Sequence, residues 1–377
     1  MSRVRVVVVG GGVIGLLTAV ECVRSGAQVD LVEQSAIPSP VATSYDQHRV
    51  IRTLHRGEPR LSIAAAGLHE AWVETERRLG GRFYHRTGVL TVVTDIEAEL
   101  ALLSETRVPV RALTGRELPA RYPQLRLKAG QHAILEPAAG TVLADRALLA
   151  AARWLRGHPA VRTHPHCRVT QLTDSATVGF ANGRTLSADS VVVAAGPWSR
   201  NLLPAGLAAS LTLKRQTMLS YSPSWFPAAW SRSPAVLGLG STGDAWMMPP
   251  VAGTSVRLSA ASACRTVADL TDRQTPGTWR THLTRRFGTL LTAFEPGAVT
   301  GATEGYYLTD EAGQGPLLVR LGDEVWAFAA CGGMSFKFAP VLARALADRA
   351  LGNPARPTGL ESVDLPRQLA GDLRGGA

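Results

Sequence analysis

The chain has 377 residues, 45% of them hydrophobic and 19% charged, with a formal net charge of +10. That length exceeds a single core and predicts about two domains, and no apolar run nears the roughly 20 residues needed to span a bilayer. The cationic residues are scattered without basic blocks or interleaved aromatics, which argues against a nucleic-acid partner.

The four cysteines, Cys22, Cys167, Cys264 and Cys331, show no C-x-x-C spacing. Neither a metal site nor a disulfide framework is indicated, and they read as reduced, mostly buried thiols. Of the 40 lysines and arginines only three are lysine, Lys128, Lys214 and Lys337. In so arginine-biased a chain, a retained lysine marks a place where a compact ammonium is wanted. The N-terminus enters a strand almost at once, leaving no room for a signal peptide, so a cytoplasmic enzyme is expected.

Val4 to Val9 form a β-branched run suited to a strand buried on both faces. Gly10, Gly12 and Gly15 follow with G-x-G-x-x-G spacing, bracketing Val13 and Ile14 at the start of a helix. These glycines allow a tight turn, close backbone approach to a pyrophosphate, and close helix-to-sheet packing. The phosphates would sit at the helix N-terminus, where free N–H groups favour negative charge. A second strand, Val29 to Val32, ends at Glu33, placed to accept hydrogen bonds from a ribose diol, with Gln34 beside it. This is a dinucleotide site, and these residues alone leave FAD and NAD open.

The stretch SYDQHRVIR reads as helix-like, with Arg49 and Arg52 on one face as a cationic wall beside an anionic ligand. One helix is expected over Leu61 to Leu79, stopped by Gly80-Gly81, with Trp72 in the core. Residues 82–95 read as strands, 96–106 as a helix, and Thr114 with Glu117 as a capping box. AGTVLADRALLAAARWLRG is predicted to be an amphipathic helix, followed by a β-meander with a type I′ turn at Asn182-Gly183. Val191 to Ala195, followed by Gly196-Pro197-Trp198, is a second buried strand ending at a glycine and a second candidate for contact with the dinucleotide.

From 211 to 314 the pattern changes to alternating strands around one helix near 268–288, as in a mixed or antiparallel sheet of a substrate domain. Near the C-terminus come a strand pair, Gly332-Gly333 and a long helix, and the last residues read as a loose tail. The fold class is therefore α/β (α+β). Residues 1–85, 140–210 and 315–355 form a discontinuous Rossmann-like nucleotide domain, 86–139 and 211–314 a substrate domain, and 356–377 a tail.

The C-terminal return selects the dinucleotide. An NAD dehydrogenase completes its Rossmann unit in one stretch, whereas here a helix from the far end of the chain aims its positive end at the ligand. A flavin needs such a donor, because reduction builds negative charge around N1 and O2 of its ring.

At this point GGGVIG with Glu33, SYDQHRVIR, RTGVL, VVVAAGPWS and GGMSFKF together resemble the D-amino-acid-oxidase superfamily, and within it the sarcosine oxidase and N-methyl-amino-acid oxidase branch, over residues 3–352. The resemblance implies FAD in an extended pose, with Ser44, Arg49, Val50, Val169, Ala195, Gly196, Trp198, Gly332, Gly333, Met334 and Lys337 also against it. It implies that Arg52 and Lys337 hold a substrate carboxylate.

Three departures follow from the same comparison. Glu304 stands where that branch has a flavin-tethering cysteine, so FAD is expected to be noncovalent. Arg257 stands where a lysine promotes reaction with O2, and Tyr45 and Ala261 replace pocket histidines. Tyr45, His48, Trp246, Met248 and Tyr306 are candidate pocket residues, with Arg52, Lys337, Arg257, Tyr45 and Tyr306 candidates for the catalytic set.

The expected reaction is oxidation of the C–N bond of a secondary, N-methyl or cyclic amino acid, with O2 as second substrate giving hydrogen peroxide. The alternative is a dehydrogenase or desaturase with another acceptor, acting on a 2-hydroxy acid or a carrier-bound amino acid. No metal, nucleic-acid or membrane partner is expected, and the protein is expected to be a monomer or weak dimer.

Overall fold

The β-branched runs become the centre of a six-stranded sheet. In this computed structural model, residues 3–360 are described apart from 129, 226, 271–273, 311–315, 355 and 357–359. The strand order is Leu317–Gly322, Val325–Ala330, Ser190–Val193, Arg5–Val9, Gln28–Val32 and Val161–His164, parallel except for the first strand. Side chains alternate across the sheet, so Val6 and Val8 enter one core with helices Val13–Arg24, Leu68–Leu79, Ala144–Arg156 and Ser335–Ala350. Val7 and Val9 enter a second core, shared with the meander over 169–187 and with Tyr306.

A nine-stranded mixed sheet carries the 211–310 segment. Its longest ladder joins Leu211–Tyr221 to Val299–Asp310, and Ala235–Leu239 runs parallel to Val89–Val93. One face packs on helix Gly277–Leu290 through Leu283 and Phe287. Alternation turns Trp246, Met248, Arg257, Thr303 and Tyr307 to the other face. A small sheet of His48–Ile51, Gly140–Leu143 and Tyr84–His85 lies between these parts in the chain.

Several local expectations change. The stretch around Arg49 is a strand, because Val50 and Ile51 are β-branched and pair with Gly140–Leu143. On an extended chain a spacing of three turns Arg49 and Arg52 to opposite sides, which removes the shared cationic wall. The helix expected from Ala139 begins only at Ala144, since a Cβ at Gly140 would overlap the His85 carbonyl and the preceding residues join the small sheet.

The helix expected over 61–79 is split into Pro59–Ala65 and Leu68–Leu79 around Gly67, and Gly80 ends it with φ 63°. The helix near 268–288 starts at Gly277, after Pro276. At 180–184, Gly183 alone has positive φ, at 80°, and Phe180 pairs with Arg184 across the loop, so the turn is not type I′, which needs two such residues.

All four cysteines are free, but only Cys22 is fully buried; burial pushes its thiol up to about 12. Glu117 accepts from the Thr114 amide at 2.9 Å as expected of the capping box. Of the expected tail, Arg356 pairs with Asp348 at 2.7 Å and Leu360 is buried, while 361–377 lie outside the described residues.

Asp30 is buried in the second strand between Arg5 and His164, each 2.7 Å away. Burial raises its pKa, but the Arg5 and His164 bonds outweigh it and hold the carboxyl below the usual range. A depressed carboxyl contributes stability at neutral pH that is lost as pH falls through the folded pKa. Asp30→Asn should therefore cost about 1–3 kcal/mol at pH 7, the gap to wild type closing below about pH 4. Urea unfolding across pH checks this, and a gap independent of pH would refute the assignment.

Candidate functional site

The first turn is built on backbone that tolerates no side chain. Gly10 has φ 122°, and a Cβ there would overlap the Ala194 carbonyl; one at Gly15 would overlap the Gly10 carbonyl. Strand, turn and helix thus pack main chain on main chain, and Gly10, Gly12, Val13 and Ile14 line a cavity of about 430 Å³. That volume falls in the range of cofactor sites, roughly 300–1,000 Å³.

Helix Val13–Arg24 has no side-chain cap of its own; the Ser44 hydroxyl instead accepts from the Val13 amide at 3.1 Å. Glu33 is 6% exposed and accepts from the Gly11 amide at 2.7 Å and from the Ser35 amide and hydroxyl at 2.9 Å. These bonds fix its carboxylate at the cavity wall, with Gln34 alongside.

Val169, Ala195, Gly196 and Trp198 line the next part of the wall, with Arg168 and Asn201, which sequence reasoning missed. At the far end stand Arg49, Gly333, Ser335 and Phe336. Phe336 stacks on Trp72 at 5.2 Å, and the Trp72 indole donates to the Lys337 carbonyl at 2.9 Å, which locks the start of the C-terminal helix. Val50, Gly332, Met334 and Lys337 do not line the cavity: Val50 packs beside Met248 and Ala139, Met334 against the helical core, and the Lys337 ammonium lies against His55.

Arg49 donates to Asp46 and to the Thr43 carbonyl, both at 2.6 Å. Arg257, 1% exposed, reaches the same Asp46 at 3.2 Å and also bonds Ser220 and Thr303. Burial alone would raise the Asp46 carboxyl, but the two guanidiniums hold it below the usual range. His48 is wholly buried; its Nε2–H donates to the Pro249 carbonyl at 3.1 Å, and Nδ1 has no partner among the described residues. Burial and the nearby Arg257 push its pKa down to about 4, so the ring is neutral at physiological pH.

Arg52 and Lys337 are neighbours, each half-buried, and Glu136 lies close enough to stabilise both charges. Burial lowers Arg52 to about 10 and brings Lys337 well below the usual lysine range, Arg52 adding to the latter. Glu136 is wholly buried and accepts from the Thr53 and Leu54 amides at 2.7 and 3.2 Å.

Other expected pocket residues separate. Trp246 and Met248 share the inner face of the large sheet with Arg257, while Tyr45 is 37% exposed on its loop. Tyr306 is 1% exposed, borders the cavity and packs in the core under Arg215, whose guanidinium lies 5.2 Å from the ring. Tyr307, the next residue, turns its hydroxyl to Cys264 at 3.2 Å and its ring to Gly333 at the cavity. Glu304 is held by Arg215 and Arg265 and bonds Thr217.

The glycine turn, the buried carboxylate at the end of the second strand and the cavity beyond the carboxyl ends of the strands fit an extended FAD. Gly10→Ala should lower FAD affinity by about tenfold or more, because relieving the overlap moves the turn; fluorescence titration of apoprotein with FAD measures it, and unchanged affinity would refute the fit. Asp46→Ala, which strands the buried Arg257 guanidinium and the partly buried Arg49, should cost about 3–5 kcal/mol in urea unfolding.

The family model for FAD dependent oxidoreductases matches residues 5–349. The chain is 29% identical over 214 residues to the peroxisomal sarcosine oxidase of Homo sapiens, covering 53% of each chain. It is 30% identical over 216 residues to the glycine oxidase of Pseudomonas putida, covering 54% of this chain and 58% of that one. Matches thus span about half to three fifths of these relatives' length. Among solved structures, the open form of NikD, an unusual amino acid oxidase essential for nikkomycin biosynthesis, superposes with a TM-score of 0.78 at 20% identity, covering 97% of this chain and 98% of that one. Amadoriase II of Aspergillus fumigatus gives 0.75 at 18% identity, covering 99% and 92%. Glycine turn, Glu33 and cavity agree with the family match: the chain belongs to the FAD-dependent oxidoreductases of the DAO family.

Proposed function

We propose that this enzyme oxidises the C–N bond of an amino acid with a free carboxylate, its substrate a secondary, N-methyl or cyclic amino acid. The observation that carries the reading is the pair of cations Arg52 and Lys337 at the start of the C-terminal helix, whose first residues, Ser335 and Phe336, line the cavity. Two cations at one carboxylate fix both its oxygens, and so aim the adjacent C–N bond. FAD, when bound, would supply a two-electron acceptor for the substrate's hydride, with O2 the proposed final acceptor giving hydrogen peroxide. Gly10 to Gly15, Glu33 and Ser44 would hold its adenosine and pyrophosphate end, and Arg49 with Gly333, Ser335 and Phe336 its ring.

Trp246 and Met248 form the proposed wall of the substrate pocket, with the neutral, buried His48 and Tyr306 behind it, Tyr45 at its rim and Tyr307 beside them. Noncovalent FAD is supported by Glu304, whose carboxylate is committed to Arg215, Arg265 and Thr217. The proposed domains are those given by the sequence, in a cytoplasmic monomer or weak dimer. One observation favours an acceptor other than O2 as a second reading. Arg257 is turned to Asp46, which it shares with Arg49, and its guanidinium is hydrogen-bonded to Ser220 and Thr303, which leaves fewer of its donors for an oxygen anion.

Anaerobic mixing with N-methyl and cyclic amino acids should bleach the flavin, and a flavin bleached by none of them sinks the reading. Oxygen uptake against dye reduction then separates the two acceptors. Lys337→Met should weaken carboxylate ligands by about 2–5 kcal/mol, and acid precipitation should release the flavin into the supernatant.

A further inference from the structure

Lys337 is not a free ammonium: its Nζ lies 2.9 Å from His55 Nε2. The direction of that bond is fixed by the other side of the ring. His55 Nδ1 lies 2.8 Å from the Thr53 carbonyl, which can only accept, so Nδ1 carries the proton and Nε2 is a lone pair. Lys337 therefore donates. The ring is held by its bond to the Thr53 carbonyl, by burial and by Phe338 packed 6.2 Å from it, and the His55 amide, donating to the Ser62 hydroxyl at 2.9 Å, fixes the backbone that carries it. Glu136 secures the same segment by accepting from the Thr53 and Leu54 amides.

A cation placed next to Arg52 is pushed away by it, and a long lysine side chain has rotamers in which to escape. A carboxylate partner would hold it but cancel the charge that an anionic ligand needs. A neutral imidazole holds it and leaves the charge whole, with two N–H donors still available. Burial and the adjacent Lys337 and Arg52 keep His55 neutral, its pKa driven far below the usual histidine range.

We propose that His55 is a positioning residue that fixes the Lys337 ammonium for the substrate carboxylate. The proposal rests on the reading of Arg52 and Lys337 as the carboxylate clamp, and it adds a residue that touches neither substrate nor flavin.

The test uses the FAD-loaded enzyme and the flavin difference spectrum, titrated with acetate and with acetamide, its uncharged counterpart of similar shape. His55→Phe should weaken acetate by about 10- to 100-fold, the value of a hydrogen bond to a charged group, and leave acetamide unchanged. His55→Gln, whose amide oxygen reaches the place of Nε2, should restore most of the loss. His55→Phe combined with Lys337→Met should bind acetate no worse than Lys337→Met alone. If the phenyl ring does not fold there, His55→Leu carries the same comparison.

Acetate affinity unchanged in His55→Phe, or no recovery in His55→Gln, overturns the proposal, as does a double variant weaker than Lys337→Met. If Lys337→Met itself binds acetate like wild type, the clamp reading falls as well. If Lys337→Met is weakened and His55→Phe is not, only the role of His55 falls.

Discussion

The carboxylate of Asp46, shared by Arg49 and Arg257, is the contact on which the site depends. Arg49 comes from the small sheet and Arg257 from the inner face of the nine-stranded sheet, and both reach one anion carried by the loop that leads into the small sheet. Desolvating such charges costs several kcal/mol per ion unless each is paired and hydrogen-bonded. Here Thr43, Ser220 and Thr303 supply the remaining bonds. The geometry is therefore narrow, and it brings the large sheet to the wall of the FAD cavity at Arg49.

The same arithmetic recurs three residues further along the chain. Arg52 and Lys337 stand with Glu136, two cations to one anion, as Arg49 and Arg257 stand with Asp46. In each cluster the named cations outnumber the anion, and Arg56 adds a further positive charge near Arg52. Buried excess charge is costly in the protein alone and is offset by an anionic ligand, which is why such sites suit carboxylates and the anionic edge of a reduced flavin. His55 fits this pattern because it orients a cation without removing its charge.

Much of this was legible in local sequence. Val4 to Val9 with the glycine spacing and Glu33 gave the first nucleotide-binding unit, because a buried parallel strand and a helix N-terminus have strong local signatures. The scarcity of lysine singled out Lys337 before any fold was known. Other features were hidden for physical reasons. The Arg49 segment reads as a helix by spacing, yet its β-branched residues find a partner strand ninety residues away, and only that pairing turns Arg52 from Arg49. Tyr306 and Tyr307 are adjacent and chemically equal in sequence; strand register alone sends the first into the core and the second toward Cys264 and Gly333. His55 and Glu136 carry no motif, since their partners are backbone amides, a carbonyl and a lysine nearly three hundred residues distant from His55.

The sequence by itself determined a dinucleotide site, the glycine turn and the identity of the charged residues, because these follow from residue type and short spacing, and it pointed to FAD only through the return of the chain at its far end. Tertiary structure decided which charges meet. Electrostatic pairing acts over a few ångströms in space and is indifferent to separation along the chain, so Asp46 with Arg257 and His55 with Lys337 could be fixed only by the packed sheets and the returning C-terminal helix.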